Sequence, residues 1–284
     1  MKKKNSLRTQ KIVFALLFLA TLLIVIPVGM IVVIIIQKGL PAINWQFLTD
    51  MPRQGMRAGG IFPAIIGTLY LVCGAILFAL PIGLMAAIYL SEYAKGNWLT
   101  RVIKLAIVNL AGVPSVVYGL FGLALFVVFF KFGASILAGA LTLGIMILPI
   151  IITTSREALE AVPYSFREVS LSLGASKWQT IRHIVLPNAI PGILTGTILG
   201  LGRAAGETAP ILFTVAAFYL PRLPQGAFDQ AMALPYHLYV ISTQVPNVDE
   251  KVRYGTALVL LMMVLTMNLV AIIIRYQFRK KKKW

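Results

Sequence analysis

The 284-residue chain is 59% hydrophobic and only 12% charged, a composition far from that of a soluble domain. Its net charge of +17 comes from basic residues that flank apolar runs instead of interleaving with aromatics, which points to orientation in a bilayer and away from nucleic acid. A single cysteine, Cys73, rules out a disulfide framework or thiolate cluster within the chain, and two histidines, His183 and His237, disfavour a histidine-rich metal site.

Apolar runs of about eighteen residues or more recur, and they are continuous instead of alternating, so helices are expected and a transmembrane barrel is not. Lys2, Lys3, Lys4, Arg8 and Lys11 precede a first span predicted over Ile12–Ile36, too long for a cleavable signal. An outer segment, Gln37–Phe62, is expected to lie at the interface. Span two is predicted over Pro63–Tyr89, followed by a short turn with Glu92, Lys95, Arg101 and Lys104. Spans three and four are predicted over Leu105–Phe130 and Ala134–Ile152, joined by a tight turn at Lys131. A polar segment, Thr153–Val185, leads into span five, expected to reach Leu220 with a kink at Pro210. An outer loop, Pro221–Tyr254, carries an amphipathic piece around Tyr236–Ile241, and span six runs over Gly255–Ile274. This layout places 18 of the 26 basic residues on one side, seven on the other and Arg203 in the membrane. That bias supports six helical spans in one transmembrane domain, 12–275, with both termini cytoplasmic. Residues 1–11 and 276–284 are read as tails, 153–187 as a cytoplasmic coupling loop and 221–254 as a periplasmic loop.

The polar segment is long for a connection between spans. Apolar residues spaced three or four apart, among Glu157, Glu160, Arg167 and Glu168, suit one or two short helices lying flat against a partner. Gly174 is placed to end the first helix in a left-handed conformation, and Ser176 to cap a second that Pro187 interrupts. The plainer reading is a loop that only joins two spans.

Span five carries two opposite charges, Arg203 and Glu207, among Gly200, Gly202, Ala204, Ala205 and Gly206. Counted from Pro191, Arg203 lies about 18 Å along the helix, near the middle of a hydrocarbon core about 30 Å thick. Unpaired charges there cost about 2.5–3.5 kcal/mol each, so both must face protein or water. A static ion pair is one reading, although the base-first order is the weaker one for helix stability. The other is an anion path. Guanidinium grips tetrahedral oxyanions through two hydrogen bonds. A carboxylate accepts hydrogen bonds only, so it tolerates hydrogen phosphate, which has a hydroxyl to donate, better than sulfate, which has none. Tyr118, Ser115 and Thr208 are further contact candidates.

Glu168, Gly174, Ala175, Ile184, Leu186 and Pro187 fall at the spacings of the EAA loop of binding-protein-dependent ABC importer permeases: Glu-Ala-Ala, three residues, Gly, nine residues, Ile-x-Leu-Pro. Here Glu168-Val169-Ser170 replaces the triplet. The stretch Arg203-Ala204-Ala205-Gly206-Glu207-Thr208-Ala209-Pro210 resembles the PstA-type permeases of phosphate importers, as do Ala58–Tyr70, Gly83–Tyr93 and Val113–Phe121. The resemblance implies an all-α, six-span type I ABC importer permease of the bacterial inner membrane, with Arg203, Glu207 and Thr208 on the substrate path. It implies a coupling helix that docks on a separate PstB-like ATPase. It also implies a PstC-like second permease and a PstS-like phosphate-binding protein outside. No Gly-x-x-x-x-Gly-Lys-Ser/Thr loop occurs, so ATP and magnesium are expected on the partner, with no cofactor or metal in this chain, which is not itself an enzyme. Other readings are an importer of another oxyanion such as sulfate or molybdate, an ion-gradient-driven carrier with Glu207 as proton site, and a phospholipid-directed enzyme with Glu207 as base. The docking loop and the lack of an inverted repeat weigh against the carrier, and the lack of a nucleophile or metal constellation against the enzyme.

Overall fold

A computed structural model describes residues 2–280, with side chains from residue 9 onward. Lys281, Lys282 and Lys283 of the expected basic tail fall outside the described residues, as do the side chains of Lys2, Lys3, Lys4 and Arg8.

The chain is a helical bundle. Its helices are α1 (Lys2–Gly39), α2 (Trp45–Thr49), α3 (Phe62–Ile88), α4 (Trp98–Ala111), α5 (Ser115–Gly122) and α6 (Ile136–Glu160). They continue as α7 (Tyr164–Ser172), α8 (Lys177–Thr180), α9 (Leu186–Gly206), α10 (Ala209–Thr214), α11 (Leu234–Thr243) and α12 (Glu250–Lys280). A two-stranded antiparallel hairpin, β1 (Pro52–Arg53) with β2 (Ala58–Gly59), lies in the segment between α2 and α3. Five described stretches are long and apolar enough to cross a membrane: Thr9–Ala42, Phe62–Tyr93, Ile136–Glu160, Lys177–Gly206 and Glu250–Lys280. A sixth exists only if α4 and the following Ser115–Phe129 count as one span bent by 102°.

That bend corrects the expected span three. Gly112 and Pro114 sit between two helices, and Pro114 has no N–H to continue the first of them. Span four also runs further than expected, to Glu160, so the expected polar segment opens with two helical turns of α6. Pro187 does not interrupt the second helix either. Wide turns over Ile181–Val185 lead straight from α8 into α9, moving carbonyls away from the proline ring, and the two form a 30-residue rod.

The core is the three-helix contact of α3, α6 and α9. Small residues set the approach: a Cβ on Gly74 would lie 2.8 Å from the Ala140 methyl, and one on Gly196 would overlap Thr154. Leu71, Leu143, Met146, Ile147 and Ile151 fill the resulting seam with no more than 2% exposure. Such side chains interdigitate at crystal-like density, so the bundle transmits displacement. At the end of α3 nearest Phe62, α11 is buried through Leu234, Tyr236, His237, Val240 and Ile241. The expected amphipathic piece thus has one face in the core and leaves Tyr239 exposed on the other. By contrast α1 shows an almost wholly exposed apolar surface that packs on α12, a face suited to lipid.

Candidate functional site

The charged pair sits where a helix breaks. Pro210 lacks an N–H, and its ring would collide with the carbonyl four residues back, that of Gly206. The chain accordingly leaves α9 at Gly206 and runs extended through Glu207 (φ −76°, ψ 137°). It re-enters a helix at Ala209. The expected continuous span to Leu220 is thereby corrected to a discontinuous one, and the base-first argument for a pair within a helix no longer applies. Arg203 occupies the last turn of α9, where the helix dipole favours a cation.

Arg203 Nε donates to Glu207 Oε1 at 3.4 Å, with side-chain exposures of 31% and 18%. Charge-assisted pairs close to about 2.7–2.9 Å when they are tight, so this one is loose. It engages Nε alone, and the two terminal nitrogens of the guanidinium have no hydrogen-bond partner among the described residues. Thr208 is half-buried beside them, its carbonyl accepting the Leu212 N–H. Tyr118 of α5 lies within electrostatic reach of Arg203 and gives its hydroxyl to the Leu110 carbonyl at 2.7 Å. Gly119 beside it lets α5 close on the break: a Cβ there would be 3.0 Å from the Ala209 carbonyl and 3.1 Å from Pro210 Cα. Ser115 is the first residue of α5 and is half-buried. On the other side, the Asn268 amide of α12 packs against Gly202, its Oδ1 buried and unpaired. Nothing in the pattern of span six singled out Asn268 beyond its being a polar residue within an apolar helix. The cluster is therefore a cation with a free edge, an acid, hydroxyls and an amide at a helix discontinuity.

The second cluster lies along α7 and α8. Gly174 has φ +86°, the left-handed end expected of it, and Ser176 with Gln179 forms a reciprocal cap at 3.3 and 2.7 Å. Glu168 is exposed, whereas Ala175, before α8, and Ile184, Leu186 and Pro187, at the root of α9, are half-buried. Between them Tyr164, Val169, Leu171, Leu173 and Trp178 turn large apolar surfaces outward, Leu173 at 83% exposure. So much exposed apolar surface around a polar segment is more than a solvated loop between spans needs. It lies on α7, the turn after it and α8, and α8 runs on into α9 as a rod whose last turn holds Arg203. The structure thus joins the two sets of expected residues through one helix.

The family described as "Binding-protein-dependent transport system inner membrane component" matches residues 79–284. This chain belongs to that family. The permease is 35% identical over 266 residues to the probable ABC transporter permease protein YqgI of Bacillus subtilis, covering 89% of this chain and 90% of that one. It is also 35% identical to the phosphate transport system permease protein PstA 1 of Mycobacterium tuberculosis, over 99% of this chain and 90% of the relative. The probable PstA of Methanocaldococcus jannaschii is 34% identical over 86% of each chain. Among solved structures, the permease overlays a chain of the alginate ABC transporter in complex with a pentasaccharide-bound periplasmic protein, with a TM-score of 0.68 at 14% identity and 94% coverage of both. A chain of the inward-facing MetNI methionine transporter overlays with a TM-score of 0.60 at 18% identity, over 76% of this chain and 94% of that one. The fold is the type I ABC importer permease fold, and the chain is a multi-pass membrane protein and a transporter subunit, not an enzyme.

Proposed function

We propose that this permease is the membrane-spanning subunit of an ATP-driven importer of inorganic phosphate, with Arg203, Glu207 and Thr208 on the path of the anion. The observation that carries the reading is the half-open guanidinium at the helix break, in a chain that matches PstA permeases almost end to end. One edge of Arg203 is occupied by Glu207 and the other is free to offer two N–H donors to phosphate oxygens. Glu207 accepts the hydroxyl of hydrogen phosphate and repels a fully deprotonated sulfate. Because the Arg203–Glu207 contact is loose, the acid can exchange with substrate, neutralising the cation between turnovers and keeping the site from becoming a trap.

In this reading the face built by Glu168, Leu173 and Trp178 docks on a separate PstB-like ATPase that holds ATP and magnesium. A PstC-like permease completes the channel, and a PstS-like binding protein delivers phosphate from outside. The chain sits in a bacterial inner membrane with both termini cytoplasmic. ATP-driven closure of the ATPase pair pushes on α7, and the α8–α9 rod carries the push to Arg203. The test is the purified assembly in vesicles. Phosphate should be taken up only with ATP, and the phosphate-loaded binding protein should stimulate hydrolysis while sulfate does not. Equal stimulation by sulfate, or uptake without the ATPase, would reject the proposal.

A further inference from the structure

The tightest ion pair within the described residues is not Arg203–Glu207. Arg167 of α7 meets Glu92, in the wide turn that ends α3, at 2.6 Å, with side-chain exposures of 12% and 8%. Arg167 Nε reaches both carboxylate oxygens at 3.3 Å. Nη1 donates to the Val162 carbonyl at 2.7 Å, and Nη2 to the Leu159 carbonyl at 2.9 Å as well as to Glu92. All three nitrogens of the guanidinium are therefore engaged, and they tie together three elements: the end of α3, the end of α6 and the docking helix itself. Two further contacts brace the junction. Lys177 lies 4.7 Å from the Tyr93 ring centroid, and the Ser170 and Thr180 hydroxyls meet at 2.9 Å.

The docking segment thus grips two long helices by different means. It holds α9 covalently, through α8. It has no such direct link to α3, which lies more than 70 residues earlier in the chain, and the Arg167–Glu92 ion pair supplies a non-covalent one. At the far end of α3, roughly 36 Å away at 1.5 Å per residue, Thr68 is hydrogen-bonded to Leu234 of a second outer segment, the 221–254 loop. We propose that Arg167 and Glu92 are positioning residues that make α3 move with the docking helix, so that one stroke reaches both the Arg203 break and the outer segment.

The inference rests on the transporter reading, and Cys73 allows the two to fail separately. Cys73 is exposed on α3 and lines an open cavity of about 380 Å³ together with Pro224–Ala227. In the full assembly, the rate at which a maleimide labels Cys73 reports movement of α3 whatever the substrate. A non-hydrolysable ATP analogue with magnesium should change that rate in the unaltered complex and leave it unchanged in Glu92→Gln and Arg167→Ala. Phosphate uptake per ATP hydrolysed should fall on the order of tenfold in both. Arg167→Lys keeps the charge beside Glu92 and should retain part of the response; it also serves if Arg167→Ala fails to assemble. A Cys73 rate insensitive to nucleotide in the unaltered complex overturns the inference, as does an unchanged response and uptake ratio in assembled Glu92→Gln. Absence of phosphate uptake by the unaltered complex, with Cys73 still responding, rejects the phosphate reading and leaves the linkage standing.

Discussion

The hydroxyl of Thr68, on α3, accepts the backbone N–H of Leu234 at 2.8 Å and gives its own proton to the Ala64 carbonyl at 2.7 Å. Both residues are buried, at 2% and 0% exposure, so water cannot replace either partner. Thr68→Val preserves shape and strands the Leu234 N–H, which costs about 1–3 kcal/mol. Thr68→Ser keeps the bond. Thermal unfolding of the purified protein in detergent should show a clear drop for the first and a small one for the second. Equal melting of the two would mean the bond holds nothing.

One residue earlier, a Cβ on Gly67 would overlap the Met232 carbonyl, which is backbone and cannot swing aside. At Gly206 a Cβ meets nothing within 4 Å. Gly67→Ala should therefore cost about 1–3 kcal/mol through overpacking, whereas Gly206→Ala should stay within about 1 kcal/mol of the parent. Fluorescence-detected size exclusion after stepped heating separates the two. A Gly67→Ala protein as stable as Gly206→Ala would contradict the close approach of α3 and the outer segment.

His237 adds a pH dependence. Burial lowers its pKa from 6.5 to about 4, and its Nδ1 has no hydrogen-bond partner. Above pH 6.5 the ring is neutral whether the chain is folded or not, and stability does not depend on it. Between 6.5 and about 4 the unfolded chain takes up a proton that the folded one refuses, so stability falls as the pH falls. The full loss is about 3 kcal/mol, reached near pH 4. Melting temperatures taken from pH 7.5 to 4.5 should decline for the parent and decline less for His237→Leu. Parallel curves would refute the assignment.

What could be read in advance was whatever depends on local composition. Apolar length located the long helices, Gly174 and Ser176 announced their turn and cap, and the charges of the Arg203–Pro210 stretch stood out within an apolar run. Three features escaped because each is a contest between local and distant forces. Pro187 looked like a helix breaker, yet wide turns over Ile181–Val185, with Ile181 and Val185 buried, absorb it. Pro210 looked like a kink and is a full break. Tyr236–Ile241 read as amphipathic, but what its buried face and flank meet, Gly67 and Thr68 of α3 among them, lies far away in the sequence. The Arg167–Glu92 pair spans 75 positions, and no spacing rule connects residues so far apart.

The Arg203–Glu207 geometry separates the roles of charge, fork and acid. Arg203→Lys retains a cation at the end of α9 but replaces a planar two-donor edge with a point charge. If phosphate is gripped by the free edge, uptake should drop on the order of tenfold, equivalent to about 1.4 kcal/mol. Arg203→Ala should drop it further, because Glu207 then faces the incoming anion unneutralised. Glu207→Gln is expected to do something different. It removes the repulsion that disfavours sulfate while its amide can still donate a hydrogen bond, so sulfate should begin to compete with phosphate for uptake. Competition assays in vesicles, using phosphate loaded inside the binding protein and free anion at the permease, measure all three variants. The decisive comparison is between Arg203→Lys and Glu207→Gln: a static ion pair predicts similar losses in both with selectivity unchanged. An anion path predicts a loss of rate in the first and a loss of discrimination in the second.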